Sequence, residues 1–200
     1  MQLTNIFDIP IGYLGFQFLI GGVDARRRCI KQHVPVRRDM RVLDIGCGPG
    51  YVAGWLDGVS YVGLDTDPNY IDYANRKYAG KAIFSCELLT DAYADRHKPF
   101  DFVIMMGVLH HLDDAQTLDI LRIIRKVLTP KGRLVTLDGF RHPNISAAAK
   151  FFLDNDRGKY VRTKEEYVDL CRHQFPNVTA FEHLEYFRIP YATIVLECEA

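Results

Sequence analysis

Short β-branched runs alternate with helical patterns along most of this 200-residue chain. The alternation restricts the fold more than any other feature, because strands that alternate with helices form a mainly parallel sheet with helices on its faces. The predicted strands, in chain order, are Arg41–Ile45, Tyr61–Asp65, Ala82–Cys86, Phe102–Met106 and Arg133–Leu137. The sequence therefore predicts an α/β fold.

The best-defined helix is predicted over Ala115–Leu128, where apolar residues recur on one broad face. Asp113 or Asp114 is suited to its N-cap, and Gln116 stands three residues after Asp113, as in a capping box. The helix is expected to end at Thr129-Pro130-Lys131-Gly132, because proline and glycine stop helices.

The last third of the chain has a different pattern. A helix is predicted over Thr163–His173, with Thr163 as its cap and Glu166 three residues further on. Val178–Phe187 and Ala192–Glu199 are predicted strands, separated by Ile189-Pro190. Since this connection is too short for a helical crossover, we expect an antiparallel hairpin at the end of the sheet.

A glycine-rich turn, Gly46-Cys47-Gly48-Pro49-Gly50, follows the first predicted strand. Gly46 and Gly48 allow the backbone to turn sharply and to approach a ligand closely. Pro49 is suited to the first turn of a helix that we expect to continue through Trp55. Because ligands of open α/β sheets bind at the carboxyl ends of the strands, this turn is the predicted ligand site.

Two carboxylates narrow the chemistry of that ligand. The turn has the spacing G-x-G-x-G, whereas the dinucleotide-binding fingerprint is G-x-G-x-x-G. Asp44, just before the turn, would repel a pyrophosphate and attract an ammonium group. Asp65, at the end of the second strand, is placed to accept hydrogen bonds from both hydroxyls of a ribose.

These motifs resemble the class I S-adenosylmethionine-dependent methyltransferases, and in particular the small-molecule group often labelled type 11 or type 12. They occur in the family's order and cover roughly residues 41–138. The resemblance rests on Val42–Gly50, Val62–Asp65, Phe100–Ile104, Gly107–Leu112 and Leu128–Leu134.

The resemblance implies a Rossmann-like three-layer sandwich with a mostly parallel seven-stranded sheet that ends in an antiparallel hairpin. We expect a single domain over residues 1–200, with an N-terminal helical lid (1–40), a cofactor-binding core (41–138), and a substrate-side insertion followed by the hairpin (139–200). Aromatic residues of the lid and of Phe140–Tyr160 would either cover the pocket or pack in the core; those of the lid are Tyr13, Phe16 and Phe18.

By position, the resemblance implies that Asp44 and the turn hold the amino-acid end of S-adenosylmethionine, and that Asp65 holds its ribose. The adenine is expected to meet Glu87, with Asp91 as the alternative, although the family's common Gly-Asp pair is missing there. The expected cofactor contacts are Asp44, Gly46, Cys47, Gly48, Gly50, Asp65, Thr66, Glu87, Leu88, Met106 and Gly107.

His110 and His111, after the fourth strand, are the candidate catalytic residues. A general base is needed only when the acceptor carries a proton of high pKa, as an alcohol does. Leu109-His110-His111-Leu112 is also common in the family as an element that only shapes the loop. We expect no metal site from this pair.

Composition excludes several other classes of protein. Lys plus Arg and Asp plus Glu both number 25, which argues against a nucleic-acid-binding protein. The one basic cluster is interpreted as the solvated face of an N-terminal helix; it comprises Arg26, Arg27, Arg28, Lys31, Arg37 and Arg38. Five scattered cysteines, without a C-x-x-C pair, fit a reducing cytoplasm and no structural zinc.

We do not expect a membrane partner. The apolar stretch Ile9–Ile20 has no preceding Lys or Arg, contains proline and glycine, and is too short to span a bilayer. Met105–Val108 lacks the Asn or Asp followed by Pro-Pro that is common in DNA adenine methyltransferases, which disfavours that activity.

The resulting hypothesis is a cytoplasmic S-adenosylmethionine-dependent methyltransferase that acts on a small molecule, as a monomer or a homodimer. O-, N- and C-methylation all remain open. The alternatives are a non-enzymatic protein that binds S-adenosylmethionine and a nicotinamide-dependent oxidoreductase.

Overall fold

A seven-stranded sheet forms the centre of the computed structural model, which describes residues 21–154 and 158–200. Its strands lie in the order β3-β2-β1-β4-β5-β7-β6. In chain order they are β1 (Arg41–Ile45), β2 (Ser60–Asp65), β3 (Ile83–Cys86), β4 (Phe100–Met106), β5 (Leu128–Gly139), β6 (Asn177–His183) and β7 (Thr193–Glu199).

The pairing confirms a mainly parallel sheet that ends in an antiparallel hairpin. β1 is parallel to β2 and β4, and the outer pairs β2–β3 and β4–β5 are parallel as well. β7 lies antiparallel between β5 and β6. The strand order reverses between β1 and β4, so a crevice opens at the carboxyl ends of these two strands.

Helices cover both faces of the sheet, which confirms the three-layer sandwich. In the described part of the chain, the α-helices are α1 (Gly22–His33), α2 (Pro68–Lys77), α3 (Asp91–Arg96), α4 (Asp114–Val127), α5 (Ala147–Asp154) and α6 (Lys164–Arg172). One buried cluster joins the sheet to α1 and α2 through residues such as Ala25 and Ile71. A second joins the opposite face to α4 and α6 through residues such as Leu121 and Tyr167.

Both capping boxes are present. The Asp113 carboxylate accepts a hydrogen bond from Gln116 N (2.8 Å), and Asp113 N donates to Gln116 Oε1 (3.0 Å). Thr163 and Glu166 make the same reciprocal pair at the start of α6. Each box satisfies backbone donors that have no partner within the helix.

Three local predictions are wrong. The turn after Pro49 leads into a single 3₁₀ turn, Tyr51–Gly54, because glycine is a poor helix former and the chain soon re-enters the sheet at β2. β5 begins at Leu128, directly after α4, and not at the predicted Arg133. Phe100 pairs with Leu128 and Phe102 pairs with Arg133, so residues 129–132 form a bulge in β5. Pro130 has no backbone N–H to donate, and in this bulge none is needed for strand pairing.

The third wrong prediction is the end of β6, which is His183 and not Phe187. Tyr186 leaves the sheet, stacks on His183 with ring centroids 3.9 Å apart, and donates a hydrogen bond to Gln32 of α1. Burial of this aromatic side chain against α1 therefore outweighs continuation of the strand.

The two expected lid segments have different outcomes. Tyr13, Phe16 and Phe18 lie outside the described residues. Phe140 is buried in the core, as the alternative interpretation holds, whereas Tyr160 is half-exposed. Within residues 21–154 and 158–200, no helix combines the length and apolar character needed to cross a bilayer.

Asp113→Ala should lower the free energy of unfolding by about 1 kcal/mol, because it removes the N-cap of α4. Urea denaturation measures this difference. Asp72→Ala removes the same side chain from an exposed position in the middle of α2 and should change stability by no more than about 0.5 kcal/mol. Equal losses in the two variants would contradict the capping role.

Candidate functional site

A pocket of about 280 Å³ opens at the carboxyl ends of β1, β2 and β4. This is the position where open α/β sheets bind ligands, and the volume is near the lower end of the range for small-molecule sites. The lining residues are Arg26, Asp44, Gly46, Cys47, Gly48, Tyr51, Val52, Asp65, Tyr70, Met106, Gly107, Val108 and His111.

The glycine turn forms the floor of the pocket. Gly46 has a φ of 69°, and a Cβ placed on it would lie 2.6 Å from a methyl carbon of Val108. Only glycine tolerates both the left-handed conformation and this close approach. The backbone N–H groups of Gly46 and Cys47 both donate to Leu64 O, at 2.8 and 3.0 Å, which folds the turn across the end of β2.

Asp65 is held by the backbone on both sides. Its Oδ2 accepts a hydrogen bond from Gly48 N (2.8 Å), and its Oδ1 accepts one from Asp67 N (3.0 Å). Each carboxylate oxygen has a second lone pair that these bonds do not use. The side chain is therefore fixed in orientation and can still accept two further hydrogen bonds from a ligand.

Asp44 lies buried at the end of β1 and accepts a hydrogen bond from the hydroxyl of Tyr61. Burial raises its pKa to about 7, and repulsion from Asp65 adds to the effect, while the bond from Tyr61 and the charge of Arg26 oppose it. A cation placed beside this buried carboxylate would favour its ionised form and lower its pKa.

Arg26 belongs to this site, which corrects its assignment to a solvated helix face. Its guanidinium lies 6.0 Å from the centroid of the Tyr51 ring and close to Gly107. Arg27 and Arg28 are exposed, as predicted. Neighbouring arginines of this basic cluster therefore have different surroundings, because the side chains of successive helical residues point in directions about 100° apart.

Side-chain contacts to the hairpin fasten α1, and therefore Arg26, in place. His33 Nδ1 lies 2.7 Å from Glu197 Oε1 of β7, at the last turn of the helix. At its first turn, Arg188 Nη2 donates to Asp24 Oδ2 at 2.7 Å. Residues that are far apart in sequence thus determine where the guanidinium lies.

The two candidate catalytic histidines have different surroundings. His111 lines the pocket, whereas His110 is buried behind it. His110 Nδ1 lies 2.7 Å from Asp138 Oδ1, and the backbone N–H of His110 donates to the same oxygen at 3.3 Å. The ring centroids of His110 and His111 are 4.3 Å apart.

Cys47 lines the pocket without the character of a nucleophile. Burial raises the pKa of its thiol far above the usual value, and the charges of Asp44 and Asp65 raise it further. Because the thiolate is the reactive form, this cysteine acts as a small filler of space. Within the described part of the chain, no group of three or more His, Cys, Asp or Glu residues is arranged to hold a metal ion.

The pocket brings together seven of the eleven expected cofactor contacts, namely Asp44, Gly46, Cys47, Gly48, Asp65, Met106 and Gly107. Gly50 packs against Phe84 instead. Thr66, Glu87 and Leu88 are also outside the lining; Leu88 is 67% exposed, and Glu87 lies 3.8 Å from Arg96. Their roles stay predictions.

Sequence reasoning missed five lining residues and one supporting residue. The lining residues are Arg26, Tyr51, Val52, Tyr70 and Val108. Tyr70 lies in the first turn of α2, near Asp65, and carries no motif signal of its own. Asp138 could have been found, since it is a lone acidic residue beside a predicted apolar strand, at the sheet edge that carries the site.

A family model described as a methyltransferase domain matches residues 42–132. The ubiquinone biosynthesis O-methyltransferase of Rhizobium rhizogenes is 28% identical over 137 residues, which are 66% of this chain and 54% of that protein. The tRNA U34 carboxymethyltransferase of Saccharophagus degradans is 28% identical over 138 residues, covering 66% of this chain and 40% of that one. The chain spans about half the length of the ubiquinone-biosynthesis relatives.

Solved structures share the fold. Phosphoethanolamine N-methyltransferase 2 of Haemonchus contortus, in complex with S-adenosyl-L-methionine, superposes with a TM-score of 0.70 at 15% identity, covering 100% of this chain and 60% of that one. A TehB-like SAM-dependent methyltransferase from Corynebacterium glutamicum gives 0.65 at 17% identity, with 96% and 98% covered.

The Asp44 carboxyl should titrate near pH 7 in the ligand-free protein, and Tyr61→Phe should raise the midpoint further by removing a hydrogen bond to the ionised form. Carbon-detected NMR of the carboxyl group measures this. Asp91, whose pKa Arg122 and Lys126 hold at about 2, is the internal reference and should stay constant. A midpoint near pH 4 for Asp44 would contradict the account.

The same shift implies a pH dependence of folding. Because the folded-state pKa of Asp44 lies above that of the unfolded chain, the folded protein loses stability as pH rises from about 4 to about 7. Asp44→Asn should therefore be more stable than the wild type at pH 8.

Proposed function

We propose that this chain, whose residues 42–132 match a methyltransferase domain, transfers a methyl group from S-adenosylmethionine to a small-molecule acceptor. The observation that carries the proposal is a glycine turn between two carboxylates, Asp44 and Asp65, at the switch point of the sheet. A turn of this kind suits a cationic nucleoside and opposes a pyrophosphate.

The polar groups of the pocket match the parts of this cofactor. Asp65 has lone pairs for the two ribose hydroxyls, and the buried Asp44 suits the ammonium group. Arg26 supplies a charge for the carboxylate of the methionine moiety, at the same end of the pocket as Asp44. When bound, the cofactor supplies a methyl group on a sulfonium, which is electrophilic without metal activation.

Tyr51 and Tyr70 are the aromatic surfaces of the pocket and are proposed to pack against the adenine. Glu87, with Thr66 and Leu88 beside it, would then meet the adenine edge only after a change in side-chain conformation. Glu87 is half-exposed and pairs with Arg96 at 3.8 Å, so such a change would break only a weak surface contact.

The acceptor is proposed to approach past Met106 and Gly107, where His111 lines the pocket. Positioning of the acceptor against the methyl group supplies much of the rate acceleration in such a displacement. For an acceptor that carries a hydroxyl proton, His111 is the proposed base. His110, oriented by Asp138, supports the same turn from behind.

The proposed positions of the cofactor and the acceptor give different roles to different segments of the chain. We infer that residues 41–138, together with Arg26, bind the cofactor and that residues 139–200 contribute to the acceptor side. The ubiquinone-biosynthesis relative, named an O-methyltransferase, favours a hydroxyl acceptor.

Calorimetric titration with S-adenosylhomocysteine and with NADH tests the cofactor assignment. We expect micromolar or tighter binding of S-adenosylhomocysteine, about −8 kcal/mol or more favourable, and no measurable binding of NADH. Binding of NADH alone would establish the oxidoreductase alternative.

Asp65→Ala should weaken S-adenosylhomocysteine binding at least about tenfold, since it removes the ribose hydrogen bonds and releases the backbone of Gly48. Asp57→Ala is the matched control, because Asp57 is an exposed carboxylate outside the pocket that pairs with Lys81 on the surface. It should leave the affinity within about twofold. Unchanged affinity in a folded Asp65→Ala protein would show that the ribose lies elsewhere.

A panel of phenols, amines and carboxylic acids, assayed for release of S-adenosylhomocysteine, tests the transfer itself. We expect turnover with at least one hydroxyl-bearing member, and a decrease in kcat of about 10²-fold or more in His111→Ala. Binding of the cofactor without turnover of any member would favour the non-enzymatic alternative.

A further inference from the structure

A buried arginine joins the segment after α5 to the turn that carries the two histidines. Arg162 is only 6% exposed, although it bears a charge. It lies in the stretch 158–162, which crosses directly over the 3₁₀ turn Leu109–His111. We propose that Arg162 is a positioning residue that holds His110 and His111 in place for methyl transfer; this inference rests on the proposed function.

The guanidinium binds the main chain at both ends of the histidine turn. Nη1 donates to Leu109 O at 3.1 Å, and Nη2 donates to Leu112 O at 2.8 Å. Nε and Nη2 also donate to Asp114 Oδ1, at 3.0 and 2.7 Å. Asp114 is itself largely exposed, so the ion pair alone does not account for burial of the arginine.

Lysine could not replace this arrangement. Leu109 O also accepts a hydrogen bond from Leu112 N (3.1 Å), and Leu112 O accepts one from Thr117 Oγ1 (3.4 Å), so the guanidinium adds a charge-assisted hydrogen bond to each carbonyl. The planar fork of arginine reaches two carbonyls and a carboxylate at once, whereas the lysine ammonium is a single point of charge. Stacking also compensates for burial, since the guanidinium lies 5.9 Å from the ring centroid of Tyr160 and 5.7 Å from that of Tyr167.

The same stretch also touches His110 directly. Tyr160 N donates to His110 O at 2.9 Å. A methyl group placed on Gly158 would overlap Cδ2 of the His110 ring, so the main chain lies against the imidazole. The ring is thus held at Nδ1 by Asp138 and at Cδ2 by Gly158. His111 follows on the same turn, so its position in the pocket depends on the same contacts.

The test compares Arg162→Met, Arg162→Lys and the control Arg141→Met. Arg141 Nε donates to Val161 O in the same stretch, at 2.9 Å, a contact that does not involve the histidine turn. The probe is diethyl pyrocarbonate, which modifies accessible imidazoles, with the rate at His110 followed by mass spectrometry. Histidine ring NMR reports the environment of His111 in the same proteins.

We expect Arg162→Met to increase the modification rate of His110 at least about tenfold and to shift the His111 ring signals, because the turn opens locally. Arg162→Lys should restore part of the protection, and Arg141→Met should match the wild type. Ile71→Val weakens the core on the opposite face of the sheet and should leave His110 protected, which separates positioning from general loss of stability.

Wild-type protection of His110 in a folded Arg162→Met protein would overturn the inference. If that variant does not fold, Gly158→Ala replaces it as the test, because the added methyl group displaces residues 158–162 while Arg162 remains. Unchanged His110 reactivity and unchanged His111 ring signals in Gly158→Ala would likewise overturn the inference. S-adenosylhomocysteine affinity should stay within about twofold of the wild type in every variant. Failure of the wild type to bind S-adenosylhomocysteine would refute the proposed function, a result distinct from failure of the Arg162 test.

Discussion

The hydrogen bond from Gly48 N to the Asp65 carboxylate is the interaction on which the site depends. It joins the turn after β1 to the end of β2, across a distance of 17 residues in the chain. The pairing of β1 with β2 brings these ends together, and the left-handed glycines allow the turn to meet the carboxylate. The parallel sheet therefore places two acidic groups and the glycine turn around one crevice.

This arrangement lowers the stability of the folded protein when no ligand is bound. Asp44 is buried near Asp65, and burial together with this repulsion raises its pKa to about 7. Strained or poorly solvated groups persist at functional sites because a ligand relieves them. A cation in the pocket would favour ionised Asp44, so the same group that weakens the folded state strengthens binding of a cationic ligand.

Local signals in the sequence were sufficient for the fold and for eight of the thirteen residues that line the pocket. The strand at Arg41–Ile45, the capping boxes of Asp113 and Thr163, and the glycine turn were all correct, because each depends on residues close together in the chain. Arg26 was assigned to solvent, since its position depends on contacts between α1 and the distant hairpin. Arg162 was missed for the same reason, because nothing local in the sequence links it to the histidine turn.

Proton release on ligand binding tests the central claim most directly. S-adenosylhomocysteine is titrated calorimetrically at pH 7 in buffers of different ionisation enthalpy, with the wild type and Asp44→Asn. Because the Asp44 pKa is about 7, the account gives release of about half a proton per ligand from the wild type and none from the variant. Binding heats that do not depend on the buffer in the wild type, or equal release from both proteins, would contradict it.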